Sequence, residues 1–163
     1  IEPIEFYGNC YNGNADLYTT MSYLPHVDTF PGADEGINPL NDYAFNLNVT
    51  KSDKVKTAFY SFNGKKSVCD WTPDDYDDHD RVRDRHKKIK AKDWRLLSSE
   101  NFQNYQLEYI ANIEYNSLIL YPSHYWHSVY IKEDWFTDTD RVTFTGFFET
   151  KTTSSKTKKL GFG

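Results

Sequence analysis

YQLEYIANI (105–113), SLILY (117–121), HSVYI (127–131) and RVTFTGFF (141–148) follow one another with only short, mostly polar connections between them. Short runs rich in β-branched and aromatic residues, bounded by turn residues, read as strands. Working outward, Tyr43, Phe45, Leu47 and Val49 alternate with Ala44, Asn46, Asn48 and Thr50. That period of two predicts a strand with one apolar face and one small or polar face. Val55–Phe62 is a further strand, ended by the turn pair Asn63-Gly64. Tyr18–Leu24 reads as another short strand within a turn-rich first 36 residues. Many short strands and little helix predict a mainly β fold, a sandwich or barrel of the jelly-roll kind.

Composition agrees. The 163 residues include 11 Phe, 13 Tyr and 4 Trp, which favours pleated surfaces over a helical bundle. Phe45, Phe59, Tyr60, Phe62, Tyr121, Phe144 and Phe148 lie on the expected strands and are expected to fill the space between sheets. The length fits one domain over 1–163. Net charge is −5, and all of the basic excess sits in the tail 151–163. Four of the 19 Lys and Arg are there with no acid, so the body before residue 151 sets 15 basic residues against 24 acids. Such a body repels a phosphate backbone, and nucleic acid is not an expected partner. No apolar run is long enough for a membrane helix. Two cysteines do not make a disulfide scaffold, so a soluble protein of the cytoplasm is expected.

Residues 64–104 read as a charged insertion. Thr72-Pro73-Asp74-Asp75 predicts a helix start. Six Asp between 70 and 80 precede seven Lys or Arg between 81 and 92, an order that suits the helix dipole. With few apolar positions, the helix is expected to be mostly solvated, His79 and His86 with it. The insertion is the stretch expected to shape substrate access.

Three short motifs carry chemistry. His26 and Asp28, two apart on an extended segment, point the same way. His127 opens a strand after the Pro122-Ser123 turn, and Arg141 and Thr143 share one face of the last strand. Two histidines and one carboxylate form the facial triad of non-haem Fe(II) oxygenases. A planar guanidinium suits a bidentate grip on a carboxylate. His124, three residues before His127, faces the other side and is expected at the surface or behind the site. Tyr23 and Asn46 are candidates for hydrogen bonds to a cofactor. Trp126 is expected on the outer side of its strand, and Trp135-Phe136 reads as a loop anchor or a lid.

NSLILYPSHYWHSV (116–129) followed by RVTFTGFF (141–148) resembles the C-terminal half of Fe(II)/2-oxoglutarate-dependent oxygenases, in particular their small bacterial and phage-type branch. Pro25-His26-Val27-Asp28 resembles the first metal motif of that family. Ala44–Asn48 and Thr57–Tyr60 stand where the family has its Tyr-Leu-Asn and Gly-Gly-x-x-Phe-Tyr strands, although Lys56-Thr57 replaces the Gly-Gly. The resemblance implies a double-stranded β-helix, a cupin-like jelly roll. It implies Fe(II) on His26, Asp28 and His127, and 2-oxoglutarate held by Arg141 and Thr143. With O₂ as co-substrate it implies release of succinate and CO₂ and hydroxylation of a small-molecule or peptidyl substrate. Asp28 fills the position a halide would need, which disfavours halogenation. Two other readings use the same residues. One is a non-catalytic jelly-roll module binding carbohydrate or protein through its aromatics. The other is a cupin-type metalloenzyme that does without 2-oxoglutarate.

Overall fold

The computed structural model describes residues 2–11, 25–28, 42–86, 104–132 and 135–149. They form a mainly β arrangement of two antiparallel sheets and one helix. The strands are β1 (Glu2–Tyr11), β2 (Asp42–Asn48), β3 (Lys56–Phe62), β4 (Tyr105–Asn112), β5 (Leu118–Pro122), β6 (His127–Val129) and β7 (Arg141–Glu149). Helix α1 (Pro73–His86) lies between β3 and β4. The larger sheet has the order β1-β7-β2-β5 and the smaller β4-β3-β6.

Every strand expected from residue 43 onward is present, with its ends moved by two residues at most. The Asn63-Gly64 turn has φ of 49° and 78°, the pair of positive values a tight hairpin turn requires. It closes with reciprocal backbone hydrogen bonds between Phe62 and Lys65 at 2.8 and 2.9 Å. The expected strand Tyr18–Leu24 and the tail 151–163 lie outside the described residues.

Three expectations are corrected. Residues 2–11 form a strand rather than turns, pairing along β7 from Glu2 opposite Glu149 to Tyr11 opposite Arg141. Gly8 reads as a turn residue, yet it serves a close approach. A Cβ there would stand 3.2 Å from the Phe144 ring.

The second correction concerns the faces of β2. Partners in an antiparallel pair share a face. Tyr121 opposes Ala44, while Ile119 and Thr145 oppose Asn46 and Thr143 opposes Asn48. Tyr121 reaches His127 in the other sheet. The small and polar set Ala44, Asn46 and Asn48 therefore points inward. Phe45 and Leu47 point outward with Leu118, Leu120, Phe144 and Phe148, and Leu118 and Leu120 are exposed. Of the aromatics expected between the sheets, Phe59 and Tyr121 are there, with rings 5.2 Å apart.

The third concerns α1. It begins where expected, and Asp75 accepts hydrogen bonds from the Thr72 N–H and hydroxyl at 2.7 and 2.6 Å. It is not merely solvated. Val82 joins Ala58, Tyr60, Phe62, Val68, Tyr105 and Trp126 in a buried cluster on the far face of the smaller sheet. His79 packs 5.3 Å from both the Trp71 and Trp126 rings and 5.8 Å from Phe62. The described part of the insertion thus builds a second core behind the smaller sheet rather than covering the space between the sheets. Outer charges form the i,i+3 pairs Arg81–Asp78 and Arg83–Asp80, while Asp75 is buried and ion-paired with Lys65. The side chain of His86 lies outside the described set.

A smaller cluster of Val55, Ile113, Ile131 and Phe136, with Ile119 and Val129 against it, joins the two sheets. Phe136 is thus an anchor rather than a lid. No described helix is long and apolar enough to cross a membrane.

Candidate metal centre

The segment Pro25–Asp28 runs beside β6 and extends the smaller sheet. The His26 N–H donates to the His127 carbonyl at 2.8 Å, and the His127 N–H donates back at 2.9 Å. The Asp28 N–H donates to the Ser123 carbonyl at 2.9 Å. This pairing holds the segment extended, so alternation does the rest. Val27 enters the aromatic core behind the sheet, and His26 and Asp28 turn to the opposite side, toward His127.

There the three side chains converge, with one ligand atom from each within 4.8 Å of the others. Asp28 Oδ1 is 3.8 Å from His26 Nε2, and Asp28 Oδ2 is 3.4 Å from His127 Nε2. Cis donors at about 2.1 Å from one ion stand about 3.0 Å apart, so a contraction of less than 1 Å in each of these two separations satisfies that geometry.

The proton inventory favours a cation. The His127 Nδ1–H donates to the Tyr125 carbonyl at 2.9 Å, which assigns the lone pair to Nε2. Burial, and then the neighbouring His26, push the His127 imidazole down to about 3 despite that hydrogen bond, so it is neutral at neutral pH. Asp28 Oδ2 is buried and makes no hydrogen bond. A lone-pair nitrogen and an unpartnered carboxylate oxygen thus face each other, an arrangement a metal ion would satisfy. Burial pushes Asp28 up to about 6, with His26 opposing.

Further along the inner faces, Asn46 Oδ1 and Thr57 Oγ1 are also buried without hydrogen bonds. Thr57 shares the His127 face of the smaller sheet, since Phe59 opposes His127 and Thr57 opposes Val129. Beyond them, Arg141 is 2% exposed, and its Nη1 donates to Thr143 Oγ1 at 3.3 Å. The guanidinium therefore turns back along β7 toward Thr143, Thr145 and the level of Asn46. The two halves of the expected site lie on inner strand faces, with the triad on the smaller sheet and Arg141 and Thr143 on the larger.

Asn48 is structural. Its amide donates to the Ile113 carbonyl at 2.8 Å, and its Oδ1 accepts the Thr50 N–H at 2.7 Å. His124 is buried and bonded through Nδ1 to Ser67 Oγ at 2.8 Å, so it ties two loops together and is not at the surface. Trp126 faces away from the site, as expected, and is buried under α1. Tyr23 lies outside the described residues.

Two neighbours were not anticipated from the sequence. Thr57 is one. The other is Tyr121, whose hydroxyl stands 3.2 Å from His127 Nε2. The signal for both is strand parity, which puts Thr57 two residues before Phe59 on the site face and Tyr121 opposite the small Ala44.

No family model matches the chain, and neither a curated protein nor a solved structure is similar enough to count as a match.

Proposed function

We propose that the protein is an Fe(II)- and 2-oxoglutarate-dependent oxygenase that hydroxylates a small-molecule or peptidyl substrate. The observation that carries this reading is the convergence of His26, Asp28 and His127 from two separate chain segments onto one point. Two imidazoles and one carboxylate suit ferrous iron and leave coordination positions for other ligands.

The strand order supports it. If His26 is counted as a second strand, the larger sheet becomes 1-8-3-6 and the smaller 2-7-4-5. Apart from the fourth and fifth strands, which pair within the smaller sheet, successive strands then alternate between the sheets, the order expected of a double-stranded β-helix or jelly roll, and this supports the reading. Two free cysteines, Cys10 and Cys69, accord with an intracellular setting.

Iron bound here would supply O₂ activation coupled to decarboxylation of 2-oxoglutarate to succinate and CO₂. The chain's own groups do the rest. The Tyr125 carbonyl orients His127, and the pairing of Pro25–Asp28 with β6 orients the other two ligands. Arg141 and Thr143 offer charge-assisted hydrogen bonds to the distal carboxylate, and Asn46 and Thr57 offer unpartnered oxygens between the two ends. Phe59 and the Tyr121 ring exclude water beside His127.

Anaerobic addition of Fe(II) and 2-oxoglutarate is expected to give a weak visible charge-transfer band that His127→Ala abolishes. Arg141→Ala is expected to keep the metal and weaken 2-oxoglutarate about 100-fold, the equivalent of about 3 kcal/mol of charged hydrogen bonding. Absence of the band in the wild type refutes the reading. Unchanged 2-oxoglutarate affinity in Arg141→Ala favours a metalloenzyme that does without it.

A further inference from the structure

We propose that β5 is a dimerisation edge, where two copies of this chain pair β5 to β5 about a two-fold axis at Ile119 and join their larger sheets into one. The inference goes beyond the metal site and does not depend on it. β5 ends the larger sheet, and among the described residues only β2 pairs with it. The Asn48 N–H donates to the Ser117 carbonyl at 2.9 Å. Antiparallel alternation then commits the backbone groups of Ile119 and Tyr121 to β2 and turns those of Leu118 and Leu120 to the open side. The side chains of these two leucines stand on the outer face, 56% and 53% exposed.

An apolar edge invites pairing unless charge, proline or a bulge guards it. Elsewhere the described edges are guarded. β1 carries Glu2, Pro3 and Glu5, and its register shifts between Pro3 and Glu5. β4 carries Glu108, and its register shifts opposite Phe59 and Tyr60. β6 is flanked by Pro25–Asp28. β5 has only Pro122 at its end, and Ser117–Tyr121 holds no charge. This favours a second copy as the occupant. Before residue 151 the chain sets 15 basic residues against 24 acids, so an uncharged strand is where two copies meet without setting acid against acid. The strand is also its own complement. An antiparallel pair centred on Ile119 sets Leu118 of one copy opposite Leu120 of the other, on the same face, and each such pair exchanges both backbone hydrogen bonds. The pairing uses up the open side of both strands, so assembly stops at two copies.

Light scattering on the metal-free full chain at about 100 μM is expected to give twice the monomer mass, since a dimer of micromolar affinity is mostly formed there. The Leu118 and Leu120 amides are expected to exchange with solvent more slowly as concentration rises. The double variants Leu118→Lys/Leu120→Lys and Leu118→Glu/Leu120→Glu set like charges opposite one another. Each is expected to be monomeric with an unchanged circular dichroism spectrum, and a one-to-one mixture, which sets Lys against Glu, to recover the dimer. A wild type that is monomeric, or larger than a dimer, overturns the proposal. So does amide exchange that ignores concentration, or a dimer that survives in either double variant. A mixture that stays monomeric overturns the pairing about Ile119.

Discussion

Asp28 is positioned at the expense of stability, and Asp28→Asn measures by how much. Burial raises its carboxyl from 3.8 to about 6 in the folded chain. Below the unfolded value both states are protonated, and the group is neutral to folding. As pH rises from 3.8 through 6, the unfolded chain ionises first and stability is lost. Above 6 the loss is complete. Roughly two pH units at 1.36 kcal/mol each give about 3 kcal/mol. The side chain is only 11% exposed, so solvent screening takes little from that figure. Asparagine keeps the shape without the charge. The metal-free Asp28→Asn protein is therefore expected to be more stable than wild type by about 3 kcal/mol at pH 7.5, and by only about 0.5 kcal/mol at pH 4. For a chain of this size the first figure raises the melting temperature by roughly 6–12 °C. Thermal unfolding in chelator at the two pH values reads both. Adding Fe(II) without oxygen nearly closes the gap at 100 times the dissociation constant, where wild type gains about 2.7 kcal/mol, and reverses the order at 1,000 times, where it gains about 4.1 kcal/mol while the variant gains little. Equal or lower stability of Asp28→Asn at pH 7.5, or a gain that does not depend on pH, refutes the reasoning.

Asn48→Ala removes two buried hydrogen bonds and leaves the Thr50 N–H without its Asn48 acceptor. A loss of roughly 2–5 kcal/mol in denaturant unfolding is expected, and a loss under about 1 kcal/mol would mean that water replaces the amide. His79 among Phe62, Trp71 and Trp126 is held below its usual 6.5, by burial first and then by Arg83, with Asp80 opposing. Wild-type stability therefore falls as pH drops below 6.5, and His79→Phe is expected to flatten that fall in tryptophan-monitored melts at pH 7.5 and 5.5. An identical pH slope in the variant argues against it.

Alternation along the strands was legible because it depends only on the pleat. Which face of β2 turns inward was not. A period of two says that Asn46 and Asn48 share a face, and ordinary burial statistics would turn that face to water. Here the inward side of the larger sheet carries Asn46, Asn48, Arg141, Thr143 and Thr145. β1 was hidden for a related reason. Gly8-Asn9 reads as a turn from propensity alone, while its use under Phe144 depends on a strand more than 130 residues away. In α1 the dense charge masked a narrow contact stripe formed by Tyr76, His79 and Val82.

The site divides in the same way. His26 and Asp28 were legible as a pair because their spacing is local, and His127 because it starts a strand. Tyr121 was not, because a tyrosine on a strand is ordinarily core and only the fold brings it to Nε2. The polarity of the inner face and the abundance of aromatics have one explanation. A space lined with Asp28, Asn46, Thr57, Arg141 and Thr143 gains little from apolar burial, so another interface has to hold the domain together. The aromatic cluster of Tyr60, Phe62, Trp71, Tyr105 and Trp126 between the smaller sheet and α1 supplies it. The described part of the insertion, residues 64–86, is then a structural layer behind the smaller sheet, on the side away from the polar inner faces.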